Sequence, residues 1–312
     1  MVKKENLPKA VAIVGPTAAG KTKLGVAIAQ EFNGEVVSAD SRQIYKYLDI
    51  CTGKDKDDYI VSVGTEQCSV PTKISYHLID ILEPHQEITV ADFQKKAFVA
   101  IDKITKKNRL PVIVGGSPFY IYSITEGWQF SKIAKDEKLR KKLNKLSLPE
   151  LQNVLRETDS VAFKKIDQNN PRRLMRAIEV CAISGKDFEK SKPVAKMRYN
   201  FLFLGIRFSN SELKERIRKR LKERFKEGMI EEVKNILAKK QVSYENLARM
   251  GLEHRFIDYY LQNKINKEQL EDLLLKNIYR FAKRQMTWFK KDKRIQWIKN
   301  AEEAKTLTAK FL

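Results

Sequence analysis

The first segment able to do chemistry runs from Gly15 to Thr22 and matches the phosphate-binding pattern G-x4-G-K-[ST]. An apolar run precedes it and helix-forming residues follow it, which is the context such a loop requires. There, backbone N–H groups point at a phosphate, Lys21 adds positive charge, and the Thr22 hydroxyl can ligate Mg²⁺. The expected phosphate-binding residues are Gly15, Pro16, Thr17, Ala18, Ala19, Gly20, Lys21 and Thr22.

The next candidate is Asp40, at the end of a second apolar run. A carboxylate there, one strand away from the phosphate loop, is positioned to accept a proton from a nucleophile. It could equally cap a helix, since Asp and Ser are common at strand-to-helix junctions. Position alone leaves both interpretations open.

The apolar run Leu110 to Val114 ends in Gly115-Gly116-Ser117 rather than in a metal-directing aspartate. A motor ATPase or a GTPase would carry that aspartate. The sequence therefore favours a small-molecule kinase or a group-transfer enzyme.

Three basic segments lie in the second part of the chain. Arg216, Arg220 and Arg224 recur on one face of a predicted helix, Glu212 to Lys226. Spacing alone slightly favours a solvated face paired with glutamates over a phosphate clamp. Arg172, Arg173 and Arg176 cluster after Pro171, and basic and aromatic residues alternate from Tyr279 to Lys291, a composition suited to RNA. The aromatic residues Phe281 and Trp288 could instead be core, and His77, His85 and His254 are expected to be structural.

The elements that position these residues alternate between strand and helix, which predicts an α/β fold with a mainly parallel sheet. The loops at the carboxyl ends of its strands would form the ligand-binding edge. Strands are predicted at 10–14, 35–39, 77–82, 110–114 and 199–206, and helices at 21–30 and 90–107. Charged helical segments occupy 132–192, and the region after residue 206 is predicted to be helical. The expected domains are a core of 1–125 and 195–312 and a helical insertion of 126–194.

Charge divides the chain in the same way. Lys and Arg number 61 against 39 Asp and Glu, for a net charge of +22. Residues 1–130 hold 16 basic and 15 acidic side chains, so +21 of that excess lies in residues 131–312. This excess of positive charge favours a surface that binds a polyanion, most simply nucleic acid.

The composition also excludes other classes of protein. The apolar fraction of 42% excludes disorder, and the sequence contains no apolar run long enough for a membrane span. Three cysteines without a C-x-x-C pair fit a reducing cytoplasm.

Taken together, six ordered segments resemble the tRNA dimethylallyltransferase family, also called tRNA isopentenyltransferases. The resemblance runs from about residue 10 to residue 298. The segments are GPTAAGKT, SADSRQIY, HLIDIL followed by ADFQ, NNPRRLMRAIEV, RIRKRLKERFKEGMIEEV and AKRQMTWF. The resemblance implies a P-loop NTPase-like core, a helical tRNA-binding insertion and a helical C-terminal part. It also implies transfer of a dimethylallyl group from dimethylallyl diphosphate to N6 of the adenosine 3′ of the anticodon.

The resemblance assigns roles to particular residues. Lys21, Thr22 and the loop amides would bind the donor's diphosphate rather than ATP, with Mg²⁺ assisting its departure. Asp40 would be the general base, Arg220 would grip the diphosphate from the opposite side, and Ser117 would lie near the adenine. The segments expected to contact the tRNA anticodon stem-loop are Asp40, Ser41, Arg42, Gln43, Arg172, Arg173, Leu174, Met175 and Arg176. A monomer without membrane association is expected.

Three departures from the family pattern concern the RNA side. Gly-Gly-Thr-Gly-Leu-Tyr is replaced by GGSPFY at 115–120, Ile-Gly-Tyr-Lys-Glu by MGLEH at 250–254, and a usual proline by Gln168. Ser117 without the following Gly-Leu leans towards an adenylate isopentenyltransferase, which prenylates free AMP, ADP or ATP. The basic second part and the insertion favour tRNA. Retention of the donor-site residues disfavours a non-catalytic RNA-binding module, and a nucleotide kinase would require phosphate transfer from ATP.

Overall fold

The computed structural model describes residues 6–65, 68–130, 133–185, 187–188, 195–239 and 242–312. Its strands are β1 (Lys9–Val14), β2 (Gly34–Ser38), β3 (Ile60–Thr65), β4 (Cys68–Lys73), β5 (Tyr76–His77), β6 (Leu110–Gly115), β7 (Asn200–Ile206) and β8 (Ile295–Ile298). Its helices are α1 (Lys21–Glu31), α2 (Asp49–Thr52), α3 (Val90–Lys106), α4 (Pro118–Thr125), α5 (Glu137–Leu143), α6 (Leu148–Thr158), α7 (Ser160–Lys165), α8 (Pro171–Ser184), α9 (Asn210–Lys226), α10 (Met229–Ala238), α11 (Tyr244–Met250), α12 (Leu252–Leu261), α13 (Lys267–Phe289) and α14 (Ala301–Phe311).

The chain divides into two compact units. Unit 1 comprises Met1–Thr125 and Arg198–Leu312, and unit 2 comprises Glu126–Met197. The boundary expected at residue 194 falls outside the described residues.

A parallel sheet organises unit 1, with the strand order β5-β2-β6-β1-β7-β8. The central strands β2 and β6 are buried along their whole length, because helices cover both faces of the sheet. One core contains Val11, Ile13 and residues of α1, and a second core joins α9, α10, α12 and α13. This confirms the predicted α/β, P-loop NTPase-like fold class.

The parallel arrangement brings three loops to one edge of the sheet. The phosphate loop follows β1, Asp40 follows β2, and Gly116-Ser117 follow β6. Neighbouring strands are in register there, with Val14 opposite Gly115 and Ser38 opposite Val114. The carboxyl ends of the strands therefore hold the candidate chemistry together, as such sheets generally do.

Two predictions about strands are wrong. The strand expected at 77–82 is only Tyr76–His77, because Leu78 and Asp80 adopt positive φ angles of 64° and 55° that end extended pairing. The region after β7 is not wholly helical, since β8 adds a parallel strand beside β7. The hairpin of β3 and β4 also went unpredicted.

Unit 2 is helical, as its sequence predicts. Its core gathers Leu151, Leu155, Phe163 and Leu174 from α6, α7 and α8. Asn170 caps α8 by accepting a hydrogen bond from the N–H of Arg173. No helix in the described ranges is long and apolar enough to span a bilayer.

Candidate active site

The phosphate loop bends sharply between β1 and α1. Ala18 has φ 61° and Gly20 has φ 83°, so two left-handed residues turn the chain before the helix begins at Lys21. Gly20 suits its position because it lacks the Cβ that makes this conformation costly. The turn leaves the positive end of α1 facing the cavity beyond the sheet.

Lys21 is the first residue of α1, and its side chain folds back onto the loop. Its Nζ donates a hydrogen bond to the carbonyl oxygen of Pro16 at 2.6 Å. Burial lowers the pKa of Lys21 to about 8, the Asp40 carboxylate opposes this, and the Arg220 guanidinium adds to it. A bound anion would raise this pKa again, because nearby negative charge favours the protonated, charged form of the amine.

One amide of the phosphate loop, that of Thr17, is hydrogen-bonded within the protein. The N–H of Thr17 donates to Oε1 of Gln285 on α13 at 2.8 Å, and Nε2 of Gln285 donates to the carbonyl oxygen of Gly116 at 2.6 Å. Gln285 is buried. It therefore ties the loop after β1 to the loop after β6, and it occupies one of the loop amides expected to bind phosphate.

Asp40 does not cap a helix, so that alternative is wrong. The next helix begins only at Asp49, and Oδ1 of Asp40 instead accepts the N–H of Arg42 at 2.8 Å within a tight turn. The N–H of Ser41 donates to Oγ of Ser117 at 3.3 Å. The two expected acceptor-side residues, Asp40 and Ser117, are thus held in adjoining loops.

Gln43 fixes the other end of this turn. Its Oε1 accepts from Oγ of Ser38 at 3.0 Å, and its Nε2 donates to the carbonyl oxygen of Gly53 at 2.8 Å. Gln43 lines the same cavity as Asp40. The turn is therefore anchored to β2 on one side and to the end of α2 on the other.

The arginines of α9 face the phosphate loop, so the solvated-face interpretation is wrong. Nε of Arg216 donates to the carbonyl oxygen of Ala18 at 2.9 Å, and Nη1 of Arg220 lies 3.5 Å from Oγ1 of Thr17. The helix starts in a capping box between Ser209 and Glu212, which satisfies two backbone N–H groups at its N-terminus.

These groups surround one cavity of about 530 Å³. It is lined by Thr17, Ala18, Ala19, Gly20, Lys21, Thr22, Lys23, Ser38, Asp40, Gln43, Thr52, Gly53, Asp55, Asp58, Tyr59, Val114, Gly115, Arg216, Lys219, Arg220, Glu223, Arg224, Glu227, Phe281 and Gln285. The cavity has a cationic wall on α9 and a carboxylate opposite it on the loop after β2. That arrangement is suited to holding an anionic leaving group beside a proton acceptor.

In unit 2 the predicted RNA-contacting residues of α8 separate into two sets. Arg172 and Arg173 are exposed, whereas Leu174 is buried in the helical core. Arg176 donates to buried Glu179 and to the carbonyl oxygen of Ile133 at 2.8 Å. Met175 is half-buried. Arg172 and Arg173 are thus the side chains of this segment most accessible to a partner.

The remaining candidates are structural or partly exposed. His77 contacts Oε2 of Glu35 at 2.7 Å, and His254 is buried, with burial lowering its pKa to about 3. Phe281 and Trp288 are 39% and 40% exposed, so they are not core residues. Among the described residues, no cluster of three or more His, Cys, Asp or Glu could hold a metal.

A phosphate loop at the edge of a parallel sheet, facing arginines and a carboxylate, defines a P-loop group-transfer protein. The IPP transferase family model matches residues 43–292, and an isopentenyl transferase model matches residues 8–65. The tRNA dimethylallyltransferase of Finegoldia magna is 38% identical over 93% of this chain and 90% of its own length. The chain belongs to the IPP transferase family.

Solved structures agree with this assignment. The tRNA isopentenylpyrophosphate transferase of Bacillus halodurans superimposes with a TM-score of 0.69 at 31% identity, covering 97% of this chain and 96% of its own. A eukaryotic dimethylallyltransferase acting on tRNA shares the fold, with a TM-score of 0.74 at 22% identity over 90% of this chain and 69% of its own.

The sequence patterns do not reveal several residues of the site, among them Gln285 and Gly53. Gln285 stands inside the AKRQMTWF segment, but its bond to Thr17 spans 268 positions of the chain and has no local signal. Gly53 was also missed, although a glycine directly before an acidic segment, here residues 55–58, marks a turn. A Cβ at Gly53 would overlap Nη2 of both Arg220 and Arg224.

Proposed function

We propose that this chain transfers a dimethylallyl group from dimethylallyl diphosphate to N6 of the adenosine 3′ of the anticodon in tRNA. The observation that carries the proposal is the cavity in which Lys21 and Arg220 oppose Asp40. Family membership supports the same activity, and the relatives are named for tRNA rather than for a free nucleotide.

The donor's diphosphate binds between the phosphate loop and α9. The loop amides other than that of Thr17, the amine of Lys21 and the guanidinium of Arg220 would hold its oxygens from two sides. Positive charge concentrated there stabilises the diphosphate as negative charge develops on it. The dimethylallyl carbon is thereby made ready for attack.

The acceptor chemistry takes place at Asp40. The N6 lone pair forms a bond to C1 of the dimethylallyl group, the bond from C1 to the diphosphate oxygen breaks, and its electron pair leaves with the diphosphate. The proton of N6 passes to the Asp40 carboxylate. Ser117, whose hydroxyl accepts the N–H of Ser41, would help to position the adenine.

Mg²⁺ fits this site as a partner of the diphosphate rather than as a caged ion. Thr22 and the carboxylates of Asp40, Asp55 and Asp58 line the cavity and supply oxygen ligands. Mg²⁺ typically uses one or two protein oxygens together with substrate phosphates. Thr22 is the proposed protein ligand, and the ion would neutralise charge on the leaving group.

The tRNA is proposed to bind through its phosphates and its anticodon loop. Arg172 and Arg173 on unit 2, and Asp40 to Gln43 on unit 1, are the proposed contacts. The target adenosine must leave the stacked loop to reach Asp40, at a cost of about a few kcal/mol. A tRNA substrate is also consistent with the expected cytoplasmic location, where the buried free thiols of Cys51 and Cys181 would stay reduced.

The test offers two acceptors to the same protein. Labelled dimethylallyl diphosphate and Mg²⁺ are incubated with the protein and either an anticodon stem-loop or AMP. We expect label in the stem-loop and none in AMP. Label in AMP alone would identify an adenylate isopentenyltransferase instead, and label in neither would contradict prenyl transfer.

A further inference from the structure

The three arginines on the cavity side of α9 do not have equivalent surroundings. Arg216 is fixed by the carbonyl oxygen of Ala18 and by the ring of Phe208, 4.4 Å from its guanidinium carbon. Arg220 lies near Thr17, with a distant ion pair of 3.9 Å to Asp55. Arg224, one turn further on, is the most deeply buried of the three.

Arg224 is 8% exposed. Its Nη1 donates to the carbonyl oxygen of Cys51 at 3.4 Å, and its buried Nη2 has no hydrogen-bond partner among the described residues. A buried guanidinium without a carboxylate is costly, because its charge has lost water and gained little in return. A ligand anion would supply the missing partner.

The position of Arg224 directs it to the diphosphate cavity. It lines that cavity together with Arg220, and the Nη2 atoms of both pack against Gly53, the left-handed residue that ends α2. Burial and the neighbouring charge of Arg224 lower the pKa of Arg220 to about 10. Two close guanidinium groups of like charge require negative charge between or beside them.

Glu253, at the start of α12, supplies only part of that charge. It lines a small adjoining cavity with Arg220 and Arg224, yet no described ion pair joins it to either. Burial raises the pKa of Glu253, whereas both arginines oppose the rise. A diphosphate carries more negative charge than this carboxylate and offers several oxygens to two planar guanidinium forks.

We propose that Arg224 is a second guanidinium of the diphosphate site, acting beside Arg220, and that Glu253 weakens binding by partly neutralising the pair. The proposal rests on the proposed function, since the donor's diphosphate is its ligand. A Cβ at Gly53 would meet both guanidinium groups, so a larger residue there would displace them.

The experiment measures binding of inorganic diphosphate to the full-length protein by isothermal titration calorimetry. Arg224→Met keeps an apolar stem of similar length and removes the charge, so we expect about tenfold weaker binding or more. Arg224→Lys should fall between it and the parent. Arg218→Met is the matched control, because Arg218 lies on the same helix, outside the cavity, and pairs with Glu215. It should stay within about twofold of the parent.

Two further variants change the residues next to Arg220 and Arg224. Glu253→Gln should tighten diphosphate binding, and Gly53→Ala should weaken it. Thermal unfolding of each variant shows whether it folds. If Arg224→Met fails to fold, Arg224→Lys and Glu253→Gln decide, and unchanged affinity in both overturns the proposal, as does unchanged affinity in a folded Arg224→Met.

Two ligands distinguish a general diphosphate site from a prenyl donor site. Dimethylallyl diphosphate and ADP are titrated in parallel. We expect Arg224→Met to weaken the binding of dimethylallyl diphosphate at least as much as the binding of inorganic diphosphate. A protein that binds diphosphate through Arg224 but labels no acceptor would refute the proposed function and leave this site standing. Normal prenyl transfer with an unchanged donor KM in Arg224→Met would refute the role of Arg224 and leave the proposed function standing.

Discussion

Helices α8 and α9 both carry arginines at short spacing, but their surroundings differ. On α8, Arg176 shares the buried carboxylate of Glu179 with Arg140, whose Nε and Nη2 lie 2.7 and 2.9 Å from it. On α9, Arg220 has one distant acidic partner, and Arg224 has none within ion-pair distance among the described residues. A buried acid bonded to both Arg140 and Arg176 makes that pair structural. No described acid forms an ion pair with Arg224, so the arginines of α9 remain available to a ligand.

The largest effect is expected on the rate of prenyl transfer when Asp40 of unit 1 is substituted. Asp40→Asn keeps the oxygen that accepts the N–H of Arg42 but removes the base, so prenyl transfer should slow by about 10²–10⁴-fold. Single-turnover transfer measures the rate, and filter binding of a tRNA measures affinity. Transfer at the parental rate, or a loss of tRNA binding with normal chemistry, would contradict the role of Asp40.

The next largest effect should appear in the stability of unit 2. Glu179→Gln removes the carboxylate shared by Arg140 and Arg176, so urea unfolding should show a loss of about 3 kcal/mol. This is the low end for such a change, because both arginine side chains remain 29% exposed. Glu157→Gln on α6 changes an exposed residue and should have little effect. An unchanged stability would show that the cluster is not structural.

Acid should weaken the same cluster. Burial would raise the pKa of Glu179, but hydrogen bonds from Arg140 and Arg176 lower it to about 2 from an ordinary value of 4.5. A carboxylate whose pKa is lower in the folded protein stabilises the fold above the unfolded value and loses that contribution as pH falls. Unfolding midpoints should therefore drop between about pH 4.5 and pH 2, and less so in Glu179→Gln.

Alkali should weaken the donor site instead. Because the pKa of Lys21 is lowered to about 8, the free protein loses that charge above pH 8. Affinity for inorganic diphosphate should then fall by up to about tenfold for each pH unit, as one proton must be taken up on binding. Lys21→Arg stays charged, so its profile should be flat in this range. A parental profile without a break near pH 8 would contradict the environment described for Lys21.

The smallest effect is expected at the exposed arginines of α8. Arg172→Gln and Arg173→Gln should each reduce the slope of log affinity for tRNA against log salt by about 1. Thermal stability should stay unchanged because both side chains are exposed. An unaltered salt slope would remove these residues from the RNA-binding surface.

The sequence predicts the central strands well, because each is an apolar run that stops at a small or polar residue. It fails at the edges of the sheet. Leu78 and Asp80 adopt left-handed backbone conformations, and Asp80 contacts the buried amine of Lys54. No local sequence pattern reveals that contact. Strand β8 has only four residues, and pairing with β7 creates it.

The site shows the same division. Lys21 and Asp40 stand in or next to local motifs, so their positions follow from the sequence. Gln285 and Arg224 depend on distant partners, namely Thr17, Gly116 and Gly53. Helical spacing placed Arg224 on the same face as Arg220 but could not show that one nitrogen would be buried without a partner.

The most direct test of the proposed function locates the label within an intact tRNA. An unmodified tRNA with adenosine 3′ of its anticodon is reacted with dimethylallyl diphosphate, digested, and examined by mass spectrometry, with Asp40→Asn as the control for enzymatic transfer. One dimethylallyl group is expected in the parental reaction, on N6 of that adenosine. A label on another nucleotide, or an unmodified tRNA beside prenylated AMP, would contradict it.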